Sequence, residues 1–421
     1  LKNISKILVV VDSINIEDSS GSKANAALIH NLVEAGFEVL VYHYTLKNIQ
    51  LPGVVCFAIP EIKYSPLYLL SRLQRVLSRN FNFNISPFLE QLFGFSFTFF
   101  NDTNSIVKAL KKIDFQPDLV LTLSKGASYR PHYAVLKLPE WHCKWMAYVH
   151  DPYPFHYYPR PYTWVESSYR QKETFFTQVS KKAKYSAFPS QLLMEWMSSY
   201  YPDFIKTGVI IPHQNAKYNI QNSRENINLP DYYDVSKFNI LHAGNLMKQR
   251  SPKGLIEGFK LFLKKNPEAA KESKLIVLGN ASYHLKMLQE YQTNNPEMYI
   301  YTENVAFDVV YQLQKNVSVN IILESKSEIS PFLPAKFPHC VEANKVILSL
   351  APYYSETRRL LGDEYPYWSE VDDIEKIAFL IEKLYQLWKK NPNDLLLNRS
   401  DLEAYLSVDY LKKVINDLKI Y

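Results

Sequence analysis

Two segments of this 421-residue sequence combine residue types that can hold a phosphorylated ligand. In the first, Gly244-Asn245-Leu246 directly follows the strand expected at 238–243, and Lys248, Arg250 and Ser251-Pro252 lead into a helix-period segment beginning near Lys253. A strand, a glycine turn, two cations and a helix N-terminus together make an anion site, because exposed amides and full positive charges can share a diphosphate. The plainer reading is a solvated loop with incidental basic residues. The second segment, residues 330–348, reads SPFLPAKFPHCVEANKVIL and looks like a loop, a helix start and a strand, with Lys336 in the first helical turn. A lysine placed there neutralises phosphate charge alongside the helix dipole. In the first half of the chain the apolar run 145–149 stops abruptly at His150-Asp151-Pro152-Tyr153. Strand ends are where α/β sheets carry chemistry. Against this stands the reading of Asp151 as a turn cap and His150 as a satisfied core histidine.

These residues need a scaffold, and the pattern supplies one. Short β-branched runs alternate with helix-period segments from end to end, which predicts an α/β protein with parallel sheets and crossover helices. Strands are expected at 6–11, 38–44, 54–58, 119–123, 145–149, 185–188 and 207–211, with a first helix over 24–35 that stops at Gly36. After a polar, aperiodic stretch the pattern restarts at 238–243, 274–278, 298–302, 317–323 and 346–350. The division is therefore an N-terminal Rossmann-like domain over 1–215, a linker over 216–237 and a second Rossmann-like domain over 238–400. An amphipathic helix within 401–421 would pack back on the first domain. Two doubly wound domains of this kind face a cleft at the carboxyl ends of their strands.

With 47% hydrophobic residues the chain can bury two cores, and Lys+Arg 48 against Asp+Glu 42 leaves a mild excess of +6. That excess favours an anionic ligand. No helix or ribbon reader, zinc-finger spacing or basic arm argues for nucleic acid. Cys56, Cys143 and Cys340 are odd in number and lack a C-x-x-C pair, so reduced, buried thiols and a cytoplasmic location are expected. The run 7–11 is too short for a transmembrane helix or signal peptide. Asp372-Asp373 precedes a helix at Ile374 and reads as capping, no strand-end Asp-x-Asp occurs, and His and Cys spacing offers no zinc site, so no metal is expected. Neither a Walker sequence nor Gly-x-Gly-x-x-Gly after the first strand is present, which argues against a P-loop enzyme or a nicotinamide dehydrogenase.

In order and separation the two anion-binding segments resemble the donor half of GT-B fold retaining glycosyltransferases, the large group that includes many bacterial polysaccharide enzymes. Members read Gly-Asn-Leu with basic residues, then Ser-Pro-Phe-x-Pro-Ser-Lys-x-x-Glu-Tyr-x-x-x-Gly-Lys-Pro; Ser330, Pro331, Phe332, Pro334, Lys336 and Lys345 keep that frame. Three positions depart from it. His339 stands where the family has the glutamate that holds the donor ribose, Asn344 replaces a glycine and Val346 replaces a proline. His339 can bond a hydroxyl through one ring nitrogen, and Glu342 and Glu328 are nearby carboxylates that can stand in.

The resemblance implies a metal-independent, hexosyltransferase-type enzyme that moves a sugar from a nucleotide-diphosphate donor to a glycan or lipid-linked acceptor, with retention and no cofactor. Donor binding would fall to Gly244, Asn245, Lys248, Arg250, Ser330, Lys336, His339 and Glu342. His150 or Asp151 maps to the family's catalytic or acceptor-orienting position, Gly21-Ser22-Lys23 to its donor and acceptor loop, and Tyr153, Phe155 and Tyr157 belong to an aromatic loop suited to stacking on sugar. Two other readings remain: a non-catalytic GT-B subunit or glycan-binding module, and a sugar-nucleotide epimerase, whose acid/base carboxylates are not assignable. Residues 65–100 carry Arg72, Arg75 and Arg79 on one helical face and Leu69, Leu73 and Val76 on the other, followed by a phenylalanine-rich stretch. Peripheral contact with the inner face of a membrane is one account of this pattern. Core packing of an inserted subdomain is the other.

Overall fold

The computed structural model describes residues 3–81, 86–216 and 229–419. They form two compact units. One holds the described residues up to Tyr158, those from Tyr162 to Ala216 and those from Ser407 onward; the other holds Pro159–Pro161 and the described part of Lys217–Leu406. Most of the expected linker, 217–228, lies outside the described residues.

In the first unit β1 (Lys6–Val11), β2 (Glu38–His43), β3 (Val55–Ala58), β4 (Leu119–Leu123), β5 (Trp145–Tyr148), β6 (Tyr185–Phe188) and β7 (Gly208–Ile210) form one parallel sheet in the order β3-β2-β1-β4-β5-β6-β7. Residues 7–11 of β1 and all of β4 are buried, as expected of parallel strands covered on both faces. The covering helices are α1 (Ser20–Glu34), α2 (Pro66–Phe81), α3 (Ser86–Phe93), α4 (Phe97–Leu110), α5 (Arg130–Leu136), α6 (Tyr169–Lys182), α7 (Gln191–Tyr200) and α8 (Phe204–Thr207). One expectation is corrected here. The Ser19 hydroxyl accepts the Ser22 N–H at 3.1 Å, and satisfying that otherwise unpaired amide starts α1 four residues early, so Gly21-Ser22-Lys23 is helical instead of a loop.

The second unit contains β8 (Phe238–Ala243), β9 (Ser273–Leu278), β10 (Met298–Tyr301), β11 (Val319–Leu323), β12 (Ile329–Ser330), β13 (Val346–Leu350), β14 (Tyr354–Ser355) and β15 (Trp368–Ser369). Its main sheet is again parallel, in the order β10-β9-β8-β11-β13-β15, with β12 and β14 paired apart from it. The helices are α9 (Lys253–Lys265), α10 (Ala269–Glu272), α11 (Leu285–Asn294), α12 (Phe307–Asn316), α13 (Phe337–Glu342), α14 (Glu356–Leu361), α15 (Ile374–Lys390) and α16 (Ser400–Tyr405), after which α17 (Val408–Asn416) belongs to the first unit. Phe259 and Phe262 of α9 share the core with Ile377, Ile381 and Leu384 of α15. The Asp373 carboxylate caps α15 by accepting the Lys376 N–H at 3.1 Å.

The amphipathic helix expected within 401–421 is two helices. Ser407 accepts the Tyr410 N–H at 3.1 Å and begins α17, which packs on α1 in the first unit, whereas α16 buries Leu402 beside Phe337 and Leu361 in the second. Cys56 and Cys340 are buried, but Cys143 sits exposed in the short turn Pro139–Lys144, contrary to expectation. Each sheet winds outward in both directions from a central pair, β1 with β4 and β8 with β11. The carboxyl ends of such a pair form the crevice where open α/β sheets take ligands.

Candidate functional site

At the end of β8 the Gly244 N–H donates to Leu278 O at 2.8 Å, and Leu246 N–H donates to Asn280 O at 2.8 Å, which ties the loop to the end of β9. The approach is possible only with glycine on the other side. Gly279 has φ +128°, and a Cβ there would stand 2.6 Å from Gly244 O. Beneath this turn Lys336, the residue before α13, extends its ammonium to the point where β8 and β11 end. Its Nζ donates to Ala243 O at 3.0 Å, to Ile321 O at 3.2 Å and to His242 Nδ1 at 3.2 Å, and a Cβ on Gly244 would lie 3.4 Å from it. Burial pushes Lys336 down to about 7; the positive Arg250 adds to the shift and the Glu324 carboxyl opposes it. Burial, with Lys336 and Arg250 nearby, holds His242 far below the ordinary histidine value, so its ring is neutral and Nδ1 accepts.

Arg250 donates from Nη1 to Asn245 O at 3.2 Å, while its Nε is buried without a hydrogen-bond partner. Lys248 and Asn245 are exposed. Glu324, directly after β11, is a buried carboxyl absent from the sequence reading. Ser330 donates to its Oε2, and Oε1 is buried without a partner. Burial raises Glu324, against the Ser330 and Thr357 hydroxyls and the Arg250 charge. Ser330, expected to meet the donor, therefore spends its hydroxyl on orienting Glu324. The available signal was position alone, an acid immediately after a strand of five apolar or buried residues.

His339 and Glu342 both face α12. The His339 ring lies edge-on to Phe307 at 5.1 Å with Nδ1 buried and unpartnered, and burial lowers it to about 4. Glu342 Oε1 accepts the Tyr311 hydroxyl at 2.8 Å, while Glu328 is exposed. Asn344 has φ +50°, the left-handed conformation for which asparagine is the best tolerated side chain after glycine, and its Oδ1 accepts the Asn398 N–H at 2.8 Å. Asn344 thus adopts a backbone conformation that a glycine would also take without strain.

In the first unit His150 follows β5. Its ring lies against Tyr148 at 4.3 Å and parallel to His213 at 6.1 Å, and Nε2 is buried without a partner. Burial, then His213 and His132, keep it neutral far below the usual histidine value. His213, just beyond β7, was not foreseen; burial lowers it to about 4. The Asp151 carboxyl is raised by burial and engaged by the Tyr158 hydroxyl, while its carbonyl accepts the Tyr129 hydroxyl at 2.8 Å. Of the two candidates, His150 is the one with an uncommitted ring atom. Tyr153 is corrected: it is buried among Tyr129, Phe175 and Phe176 and lines no surface. Phe155 packs on Trp164, and Tyr157 stacks on Tyr200 at 3.8 Å, both half-buried.

A third unforeseen group occupies the crevice between β1 and β4. Asp12, just after β1, accepts from the Lys125 N–H at 3.1 Å and from Ser128, and lies 3.9 Å from Arg130, which pairs with Asp102 at 2.9 Å. Asp102 also accepts the Tyr44 hydroxyl at 2.8 Å. Gly21 lies against this turn, since a Cβ there would be 3.6 Å from the Gly126 nitrogen.

No protein-family model and no curated protein matches the sequence. Solved structures do. A glycosyltransferase from Rickettsia africae superposes with a TM-score of 0.61 at 12% identity, covering 99% of this chain and 100% of the other. Anabaena HepE, solved with UDP and glucose, gives 0.58 at 10% identity over 98% of each chain. WaaG, a glycosyltransferase involved in lipopolysaccharide biosynthesis, gives 0.58 at 11% identity, covering 98% of this chain and 100% of its own. At these identities the likeness establishes the fold: the chain has the GT-B architecture of two Rossmann-like domains.

Proposed function

We propose that this chain transfers a sugar, of the hexose type, from a nucleoside-diphosphate donor to a glycan or lipid-linked acceptor, with retention and without a metal. The observation that carries the reading is Lys336: an ammonium brought to the crevice between β8 and β11, beneath the Gly244 turn and within the field of Arg250. The likeness to solved glycosyltransferases, one of them holding UDP and glucose, supports it.

As the glycosidic bond loosens, negative charge grows on the departing diphosphate. Lys336, Arg250 and Lys248 meet that charge, and they stabilise the transition state more than the ground state because the charge is largest there. A phosphate oxygen is a stronger acceptor than the neutral His242 ring and draws the Lys336 proton away from it. His339, through Nδ1, and Glu342 serve the nucleoside, with Asn245 and Ser330 shaping the loops around them. His150 offers Nε2 to a hydroxyl of the reacting sugar, with Asp151 behind it, and Gly21, Ser22 and Lys23 border the same end of the first sheet. Phe155 and Tyr157 supply stacking surface to the acceptor. The phosphate leaving group takes the acceptor proton, so no protein base is required.

A second reading, a GT-B chain that binds glycan without transferring sugar, draws on one observation: the Lys336 Nζ already bonds three protein groups. Incubation with a panel of nucleotide sugars separates the two. Release of a nucleoside diphosphate that stops in His150→Ala supports transfer, and absence of release from every donor, in protein that binds the nucleotide, supports the second reading.

A further inference from the structure

Helix α2 is amphipathic the wrong way round for a core helix. Its inward residues include Ser71 and Gln74, at 2% and 8% exposure, whereas Leu69, Leu73 and Val76 stand out at 66%, 55% and 49%. The segment leading into α2 is tied to α4 by polar contacts: the Ser65 hydroxyl donates to Asn101 Oδ1 at 2.6 Å, and Ser105 accepts the Ile62 N–H at 3.0 Å. Of the two sequence expectations for residues 65–100, core packing accounts for the face of α2 that meets α4 but leaves Leu69, Leu73 and Val76 uncovered. Phe88, Leu92 and Phe93 of α3 are exposed as well. On α2 alone Leu69, Leu73 and Val76, at i, i+4 and i+7, make one exposed apolar stripe, and such a stripe marks an interaction surface.

The charges identify what covers it. The α2 sequence contains Arg72, Arg75 and Arg79 and no acidic residue, and all three arginines are exposed. Glu90, the acid of α3, is turned toward Lys172 at 3.7 Å, and Glu61 lies 3.8 Å from Arg72, leaving Arg75 and Arg79 without an acidic partner among the described residues. A second copy seated face to face would set one arginine row against another. An anionic bilayer instead offers phosphates to the guanidinium groups and hydrocarbon to the leucines between them. No helix among the described residues is long and apolar enough to cross a membrane, so attachment by this surface would be peripheral.

We propose that α2 and α3 lie on an anionic lipid surface, with Leu69, Leu73, Val76, Phe88 and Leu92 below the headgroups and Arg72, Arg75 and Arg79 among them. This does not rest on the glycosyl-transfer reading and is measured without any nucleotide. The full chain is floated with vesicles of phosphatidylcholine alone and of phosphatidylcholine mixed with phosphatidylglycerol. Binding is expected only to the mixed vesicles, weakened by salt and lowered at least about tenfold in the triple Arg72, Arg75 and Arg79→Gln variant. Leu69→Gln with Leu73→Gln should abolish it while leaving the melting temperature near that of the parent, because both side chains are exposed. Folded protein that floats with neither vesicle overturns the proposal. So does binding that both variants leave unchanged, and so does a concentration-dependent dimer, seen by sedimentation velocity, that the leucine variant dissociates.

Discussion

Lys336 Nζ donates to His242 Nδ1 across 3.2 Å, an ammonium held by a neutral imidazole at the divide between β8 and β11. Burial holds this lysine to about 7, so it is poised to gain charge when an anion arrives. A bound diphosphate raises its pKa above that of the free protein. Affinity should therefore be flat below about 7, fall as pH rises through 7 by up to about tenfold per unit, and level off above the raised value of the complex. Calorimetric titration with the nucleotide across this range checks it, and Lys336→Met should bind about 10- to 100-fold more weakly with the lysine-dependent slope gone.

His150→Ala should lower the turnover rate by about 100-fold or more while leaving nucleotide binding intact, because the proposed reading assigns its buried, unpartnered Nε2 to the sugar and not to the diphosphate. Steady-state kinetics together with nucleotide titration of the same variant distinguish this from simple misfolding.

Gly279→Ala should destabilise the second unit. The new methyl would meet Gly244 O at 2.6 Å on a backbone with φ +128°, and relief requires the Gly244 turn to move. A loss of about 1–3 kcal/mol is expected in denaturant unfolding, with weakened nucleotide binding as its companion.

Acid should unfold the chain early. Burial lowers His213 and His339 to about 4, below the ordinary value of 6.5. Groups with depressed folded pKa values bind protons more readily unfolded, so the stability they contribute is complete above about 6.5 and is lost as pH falls toward 4 and below. Melting temperature recorded against pH should fall through that window, and less steeply in His213→Gln.

The alternation of apolar strands with helical segments made both sheets legible, because parallel strands covered on two faces leave apolar runs such as the unbroken 7–11 and 346–350, interrupted only by Ser349. The placement of Gly244, Arg250 and Lys336 was legible for a related reason: each sits just after a strand or just before a helix. Glu324, Asp12 and His213 were not. Each follows a strand too, but what distinguishes it is a set of tertiary partners, mostly far along the chain: Arg250 beside the nearer Ser330 for Glu324, Lys125 and Arg130 for Asp12, His150 for His213. Tyr153 failed in the opposite direction. An aromatic residue in a loop was taken for surface, and tertiary packing claimed it for the core.

The central claim is that the second unit binds a nucleoside diphosphate through Lys336, and a melting-temperature screen against UDP, GDP, CMP and dTDP tests it most directly, with Lys336→Ala alongside. The expected result is a rise of several degrees with one diphosphate, growing with its concentration and absent in the variant. No rise with any of the four, or a rise that survives loss of the Lys336 ammonium, would contradict it.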